Sequence, residues 1–343
     1  MKFLRRFCLG LIAITAACTG DDGRTPLIVY SPHGRELLAA FEERFETENP
    51  TVDVQWLDMG SQSVLDRVRS EKANPQADVW WGGPAPLFEM AASEGLLEAY
   101  QPQWLNALDA SARDDQGMWH GTYLTPMVIA YNSQAVPASE APHDWNDVLD
   151  AKWKGRVLIR DPLESGTMRT IFGMIVARSV RETGDTAAGF EWLRRLDAQT
   201  KEYVVNPTLL YQKLARQDGV VTLWDMPDLD ELVARTNLPI DYVFPTSGTP
   251  VPVDAVAIVK NAPNPELAKR FVEFIGDTPE VLYAARTYFR LPARTDIPID
   301  SLPERLQRAR RDMVIEPMDW ALVQERTPEW MRWWDEHVRG RGR

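Results

Sequence analysis

LIVYSPHGRELLAAFEERFETENPTVDVQWLDMGSQSVLDRVRSEKANPQADVWWGG, residues 27–83, is the stretch that decides the fold. LIVYS (27–31) is an apolar, β-branched run with the character of a buried strand. In GRELLAAFEERFET (34–47) the apolar residues Leu37, Leu38, Phe41 and Phe45 recur at helical spacing. TVDVQWLDM (51–59) alternates as a strand does, and GSQSVLDRVRSEKA (60–73) reads as a helix capped by Ser61 or Ser63. ADVWWGG (77–83) is a third strand that ends in a glycine turn. Strand–helix–strand–helix–strand predicts a mostly parallel sheet with helices on both faces. In such sheets ligands bind beyond the carboxyl ends of the strands. Here those ends fall at 31–34, 60–63 and 80–83.

Outward from this core, APLFEMAASEGLLEAY (85–100) reads as a helix with a break near Gly95. TYLTPMVIAYN (122–132) reads as a strand with a proline inside it, and RVLIRDP (156–162) as another. SGTMRTIFGMIVARSV (165–180) opens a long helix with an apolar face. GVVTLWDMP (219–227) is a strand running into a polar turn, followed by a short helix in DELVARTN (230–237). IDYVFPTSG (240–248) and VPVDAVAIVK (251–260) are strand-like, and NPELAKRFVEFIGD (264–277) is helical. This second βα set predicts a second α/β lobe. Helices are also expected in 301–313 and 329–338, where Trp330, Trp333 and Trp334 form a packing stripe.

The N-terminus, MKFLRRFCLGLIAITAACTG, has the grammar of an export signal: Lys2, Arg5 and Arg6, then an apolar run, then small residues. Cys18 follows those small residues directly, as in a bacterial lipobox, although Thr15 stands where that pattern usually has Leu. The expected layout is a signal peptide over 1–17 and a lipidated tether over 18–25 anchored through Cys18. The alternative is a simple cleavage near Ala17. Cys8 and Cys18 are the only cysteines, so the mature chain has no partner for an internal disulfide.

A chain of 343 residues is long enough for two domains, and 44% hydrophobic with 26% charged residues reads as globular. A net charge of −12 argues against nucleic-acid binding, which needs clustered Lys and Arg. The four histidines (33, 120, 143 and 337) form no metal-ligand or nucleophile spacing, and there is no GxSxG elbow or P-loop. The expectation is therefore a binding protein without enzymatic activity, cofactor or resident metal, acting as a monomer.

The motifs VYSPHGRELLAAFEERFE, EKANPQADVWWGG, EGLL, TPMVIAYN, DPLESGT and VPVDAVAIVKNAPNPELAKRFVEFI occur in this order over roughly 27–298. In that order they resemble the extracellular solute-binding proteins of ABC importers, in the branch that carries ferric iron and phosphorylated solutes. The resemblance implies an α/β, two-lobed periplasmic-binding-protein-like fold of type II, with two crossover strands at the hinge. Carried onto this chain it implies lobe 1 from 26–126 with 256–300, lobe 2 from 127–255, and C-terminal helices over 301–343 packing on the lobes. It implies partnership with an ABC permease and its ATPase, and a place in the periplasm or at the outer face of the cell membrane. Import and delivery to a sensor protein are both open at this level.

Ser165, Gly166 and Thr167 open a helix after a strand, where free N–H groups and the helix dipole favour an anion. Ser61 and Ser63 repeat that logic in the first lobe. Ser31 and His33 lie at the end of the first strand; the resemblance implies ligand contact there. Of Trp80 and Trp81, one faces the core and the other floors the cleft, with Trp81 the candidate. Trp224 and Asp225 occupy the turn in which iron-binding members carry adjacent tyrosines, and no Tyr-Tyr pair occurs in this chain. A carboxylate at that turn resembles the sugar-phosphate binders, with Asp225 and Asp254 accepting from ligand hydroxyls. Arg160, Arg169 and Tyr123 are further candidates beside these positions. The expected solute is a small organic anion: a sugar phosphate, another organophosphate or a phosphonate. Ferric iron is the alternative.

Overall fold

The computed structural model describes residues 23–342. The export signal and Cys18 lie outside them. Five strands and three helices open the chain: β1 (Thr25–Ser31), α1 (Arg35–Glu48), β2 (Val52–Asp58), α2 (Ser61–Ser70), β3 (Val79–Pro84), α3 (Ala85–Ser93), β4 (Leu97–Glu98) and β5 (His120–Leu124). Then come β6 (Met127–Asn132), β7 (Val157–Arg160), α4 (Gly166–Thr183), α5 (Ala187–Gln199), β8 (Thr200–Val204), α6 (Pro207–Ala215), β9 (Val221–Asp225), α7 (Met226–Thr236) and β10 (Ile240–Val243). The chain closes with β11 (Val253–Val259), α8 (Pro265–Gly276), α9 (Thr278–Tyr288), β12 (Leu291–Pro292), α10 (Glu304–Asp312) and α11 (Trp320–His337).

These strands form two sheets. The first runs β12-β5-β11-β3-β1-β2, with β4 added beside β11. Its β1, β2 and β3 pair in parallel, as the first motif predicts, while β11 and β5 run antiparallel. The second sheet runs β10-β6-β9-β7-β8. The chain passes between the sheets twice. Thr125 and Pro126 break what reads in sequence as one strand into β5 of the first sheet and β6 of the second. Proline cannot donate to a ladder, and it confines its predecessor to extended backbone, so the break falls where the chain must leave one sheet. The return is the segment 244–252, between β10 and β11.

Each lobe has an apolar centre. In the first, Phe41 and Phe45 of α1 meet Phe271 and Phe274 of α8 at ring separations of 5.2–6.1 Å, with Trp81 against Phe41 and Phe271. In the second, Phe172 of α4 packs edge-on to Trp334 of α11 at 5.4 Å. Trp330 and Trp334 are both buried, while Trp333 stacks on His337 and against Phe190. The tryptophan stripe is thus packing surface. Helix α11 is longer than its sequence reading: it begins at Trp320 and continues through Pro328.

Four local expectations are corrected. Helix α2 is capped by the Gly60 backbone, with no side-chain cap from Ser61 or Ser63. Helix α3 stops at Ser93, because Gly95 adopts a left-handed turn (φ +66°) and the chain leaves as β4. Residues 187–215, read as no element, form α5, β8 and α6. Helix α9, also unread, lies between α8 and the arginine at position 290 that proves central to the site.

Candidate functional site

A partly open cleft of about 410 Å³ lies between the two sheets, at the crossings. From the first lobe it is lined by Pro32, His33, Ser61, Gly83, Pro84 and Asp254; from the second by Gly166, Thr167, Thr170, Asp225 and Asp228. Thr125, Met127 and Pro252 of the crossing segments and Arg290 complete it. The carboxyl ends of β1 and β3 in one lobe and of β9 in the other all point to it, which is where doubly wound sheets hold ligands.

The two lobes touch along a seam at this cleft. Ser63 Oγ donates to Glu164 Oε2 at 2.6 Å. The N-terminal turns of α2 and α4 meet head-on: a methyl group at position 166 would lie 2.8 Å from Ser61 Oγ and 2.9 Å from Pro84 Cδ. Only glycine allows that approach. At Gly82 the constraint is double, since φ is +102° and a β-carbon would stand 2.6 Å from His33 Nε2. The glycine turn after β3 therefore both bends the chain and makes room for the imidazole.

The electrostatic centre is Arg290. Its guanidinium is 3% exposed, pairs with Asp228 at 2.9 Å and with Glu231 at 3.4 Å, and acts across the cleft on Asp225 and Asp254. Asp254 reaches the cleft through a register shift where β11 meets β5 and β3, a bulge that re-aims one side chain. Burial pushes its carboxyl up to about 7, against the pull of Arg290. Burial also pushes Asp225 well above the carboxylate range, with Asp228 adding repulsion and Arg290 opposing. His33 is held well below the usual imidazole range by burial and by Arg290, so it is neutral. The cleft thus sets the Arg290 cation among acidic side chains, two of which, Asp225 and Asp254, burial shifts towards the protonated form.

The structure separates the sequence-predicted residues into two groups. His33, Ser61, Gly166, Thr167, Asp225 and Asp254 line the cleft. The others do not. Trp81 is fully buried in the first lobe's core beside His33 and Phe41, and Trp80 stacks on Phe88 at 4.1 Å, so neither indole floors the cleft. Trp224 is buried against Tyr211. Ser31 is fully buried and accepts from the His33 backbone N–H, which fixes the turn that presents the imidazole. Ser63 is spent on Glu164 across the seam, and Ser165 caps α4 by accepting from Met168 N–H at 3.2 Å.

The expected separation of an anion subsite at Thr167 from a hydroxyl subsite at Asp225 is also corrected. Thr167 Oγ1 donates to Asp225 Oδ2 at 3.1 Å, while Asp225 Oδ1 accepts from Asp228 N–H as the cap of α7. The two side chains are hydrogen-bonded to each other and so lie side by side at the cleft. Arg290, Asp228, Thr125 and Thr170 are the residues the sequence reading missed. Asp228 had a signal, lying three residues after Asp225 at the opening of a helix. Arg290 had none, since it follows the unread α9.

Polar atoms at or just behind the floor have no partner within the protein: Tyr123 OH, Arg290 Nε and His33 Nε2 are buried and unpaired. Buried polar groups are normally satisfied, so a set of orphans around one cavity marks a place completed by something bound. Among the described residues no group of His, Cys, Asp and Glu converges in the way a metal ion requires.

Residues 74–313 match the family described as bacterial extracellular solute-binding protein. The chain belongs to that family. This solute-binding protein is 26% identical over 333 residues to a probable ABC transporter periplasmic-binding protein of Sinorhizobium fredii, covering 95% of this chain and 90% of the relative. It is 27% identical over 284 residues to iron uptake protein A1 of Synechocystis, covering 77% and 74% of the two chains. Among solved structures, the periplasmic binding protein AfuA of Actinobacillus pleuropneumoniae with fructose-6-phosphate bound superposes with a TM-score of 0.76. That pair shares 23% identity and covers 92% of this chain and 98% of the other, a likeness of fold. The solute-binding protein is thus a two-lobed periplasmic component of an ABC importer, working with a permease and an ATPase.

Proposed function

We propose that the cleft captures a small organic anion, a phosphate ester or phosphonate that also carries hydroxyl or ammonium groups. The observation that carries this reading is the abutment of two helix N-termini, at Ser61 and Gly166, over a floor that holds the buried Arg290. Backbone N–H groups at positions 166 and 167 precede the first capped N–H of α4, at Met168. They and the dipole favour an anionic head. A planar guanidinium beneath them matches phosphoryl oxygens.

The acidic residues fit this reading through their protonation. Burial, with the repulsion of Asp228, pushes the Asp225 carboxyl up, which lessens its repulsion of an anion, and Asp225 accepts from Thr167 beside the α4 N-terminus. Asp228 and Asp254 supply acceptors for hydroxyl or ammonium groups at the other end of the solute. A buried arginine and hydroxyl donors make a poor cage for a bare hard cation, which needs several anionic oxygens directed to one point.

Calorimetry on the soluble domain with a hexose phosphate, an aminoalkylphosphonate and ferric citrate tests the reading. Saturable binding of one of the first two, weakened at least tenfold in Arg290→Gln, supports it. Binding of ferric citrate alone overturns it.

The protein has no catalytic role in this reading; it presents the solute to the permease. Anchoring to the membrane through a lipid on Cys18 is part of the same proposal, supported by the signal-like residues before it. The expected lobe boundary at 255 moves back to Val253, where β11 enters the first sheet; lobes 26–126 with 253–300 and 127–252, closing about the crossings at Thr125–Pro126 and 244–252, are its working parts.

A further inference from the structure

A second, partly open cavity lies behind the cleft, between α3, the first turn of α4 and α11. Leu87, Met90, Trp320, Val323 and Pro328 give it an apolar wall. The seam of Ser61, Pro84 and Gly166 separates it from the cleft.

Two polar atoms inside that wall are buried and unpaired: Arg169 Nε and Thr327 Oγ1. Thr327 is 7% exposed. Arg169 spends one terminal nitrogen on the Leu163 carbonyl at a long 3.3 Å. The acidic groups that act on it from a distance are Asp66, Glu164 and Asp161. All three are engaged elsewhere, Asp66 with Gln62 and Arg69, Glu164 with Ser63, and Asp161 with Arg339. Burial outweighs them and pulls the guanidinium below its usual range. A buried cation without a paired anion is costly, and an incoming anion offsets that cost.

We propose that this cavity is a second binding site for a small amphipathic carboxylate, its head on Arg169 and Thr327 and its aliphatic body against Leu87, Met90 and Val323. A carboxylate suits the fork of a guanidinium, and a hydroxyl beside it adds one further donor. The occupant would touch α3 of one lobe together with α4 and α11.

Octanoate is the probe, titrated calorimetrically into the purified protein, with acetate and octan-1-ol as comparison ligands. Octanoate is expected to bind saturably and at least tenfold more tightly than octan-1-ol, while acetate, lacking the body, gives no saturable signal. Arg169→Gln is expected to lower octanoate affinity to that of the alcohol, and Arg290→Gln to leave it unchanged. Failure of octanoate to saturate overturns the proposal, and so does equal affinity for the alcohol. These two outcomes need no variant to fold. Loss of octanoate binding in Arg290→Gln but not in Arg169→Gln places the carboxylate in the main cleft and also overturns it.

Discussion

Replacing Arg290 by methionine tests the electrostatic account of the cleft without knowledge of the solute. The side chain is 3% exposed and is the shared cation for Asp228 and Glu231, with Asp225 and Asp254 within its field. Removing one member of a buried ion pair costs roughly 3–5 kcal/mol, because the other charge stays behind. Asp228 is 30% exposed at its side chain and Glu231 13%, so water screens part of that loss. The expected destabilisation at pH 8 is therefore nearer about 2–3 kcal/mol. Its pH dependence has a definite sign. Arg290 lowers the folded-state pKa values of Asp225, Asp254 and Glu231, all of which burial raises. Without it they rise further. A carboxyl whose folded pKa lies above its unfolded value binds more protons when folded, so its stability contribution falls as pH rises between the two values. The deficit of Arg290→Met should thus be largest at pH 8 and shrink towards pH 4, where these carboxyls take up protons in both states. Thermal unfolding of the wild type and Arg290→Met in parallel from pH 4 to 8 measures it. An equal deficit at every pH, or none at pH 8, refutes the reasoning.

Asp254→Asn removes a carboxyl held at about 7 in the folded state, so it should stabilise the ligand-free protein at pH 8 by on the order of 1–3 kcal/mol and leave it unchanged at pH 4, as thermal unfolding at both pH values would show. Gly166→Ala puts a methyl 2.8 Å from Ser61 Oγ across the seam, and should weaken solute binding tenfold or more by holding the lobes apart. Small-angle scattering should then show the solute-induced fall in radius of gyration in the wild type and not in that variant. Cys18→Ser should move the protein from the membrane fraction to the soluble one, and intact mass should show the lipid on the wild type alone.

The parallel half of the first sheet was legible because periodicity changes cleanly between 2 and 3.6 over residues 27–83: Gly34 and Gly60 precede the two helices, and Asn-Pro pairs at 49–50 and 74–75 follow them. The two crossings were less so. Pro126 lies inside an apolar run, and nothing in local pattern says that the two sides of a proline enter different sheets. The helices at 187–199 and 278–288 went unread although they are no shorter than α2 and α3, and α5 buries Phe190, Trp192, Leu193 and Leu196 at helical spacing. The same distinction governs the site. Residues at the carboxyl ends of strands, His33, Ser61 and Asp225, could be placed because the fold places them. Trp81 was misplaced because alternation along β3 assigns one indole to each face, and in this sheet both faces are covered: Phe88 takes Trp80, and Phe41 with Phe271 takes Trp81.

Arg290 shows what local reading cannot supply. It belongs to no motif, yet α9 carries it to the edge where β12 joins β5, beside the first crossing. Its significance comes from four acidic groups contributed by α7, β9 and β11, 36 to 65 residues earlier in the chain. Their ionisation is set by burial and mutual repulsion as much as by residue type. Counted by residue type, the cleft is acidic. Burial pushes Asp225 and Asp254 up while Arg290 opposes, so the charge they present differs from that count. The sign of a site is a property of its desolvated arrangement as well as of its residue types.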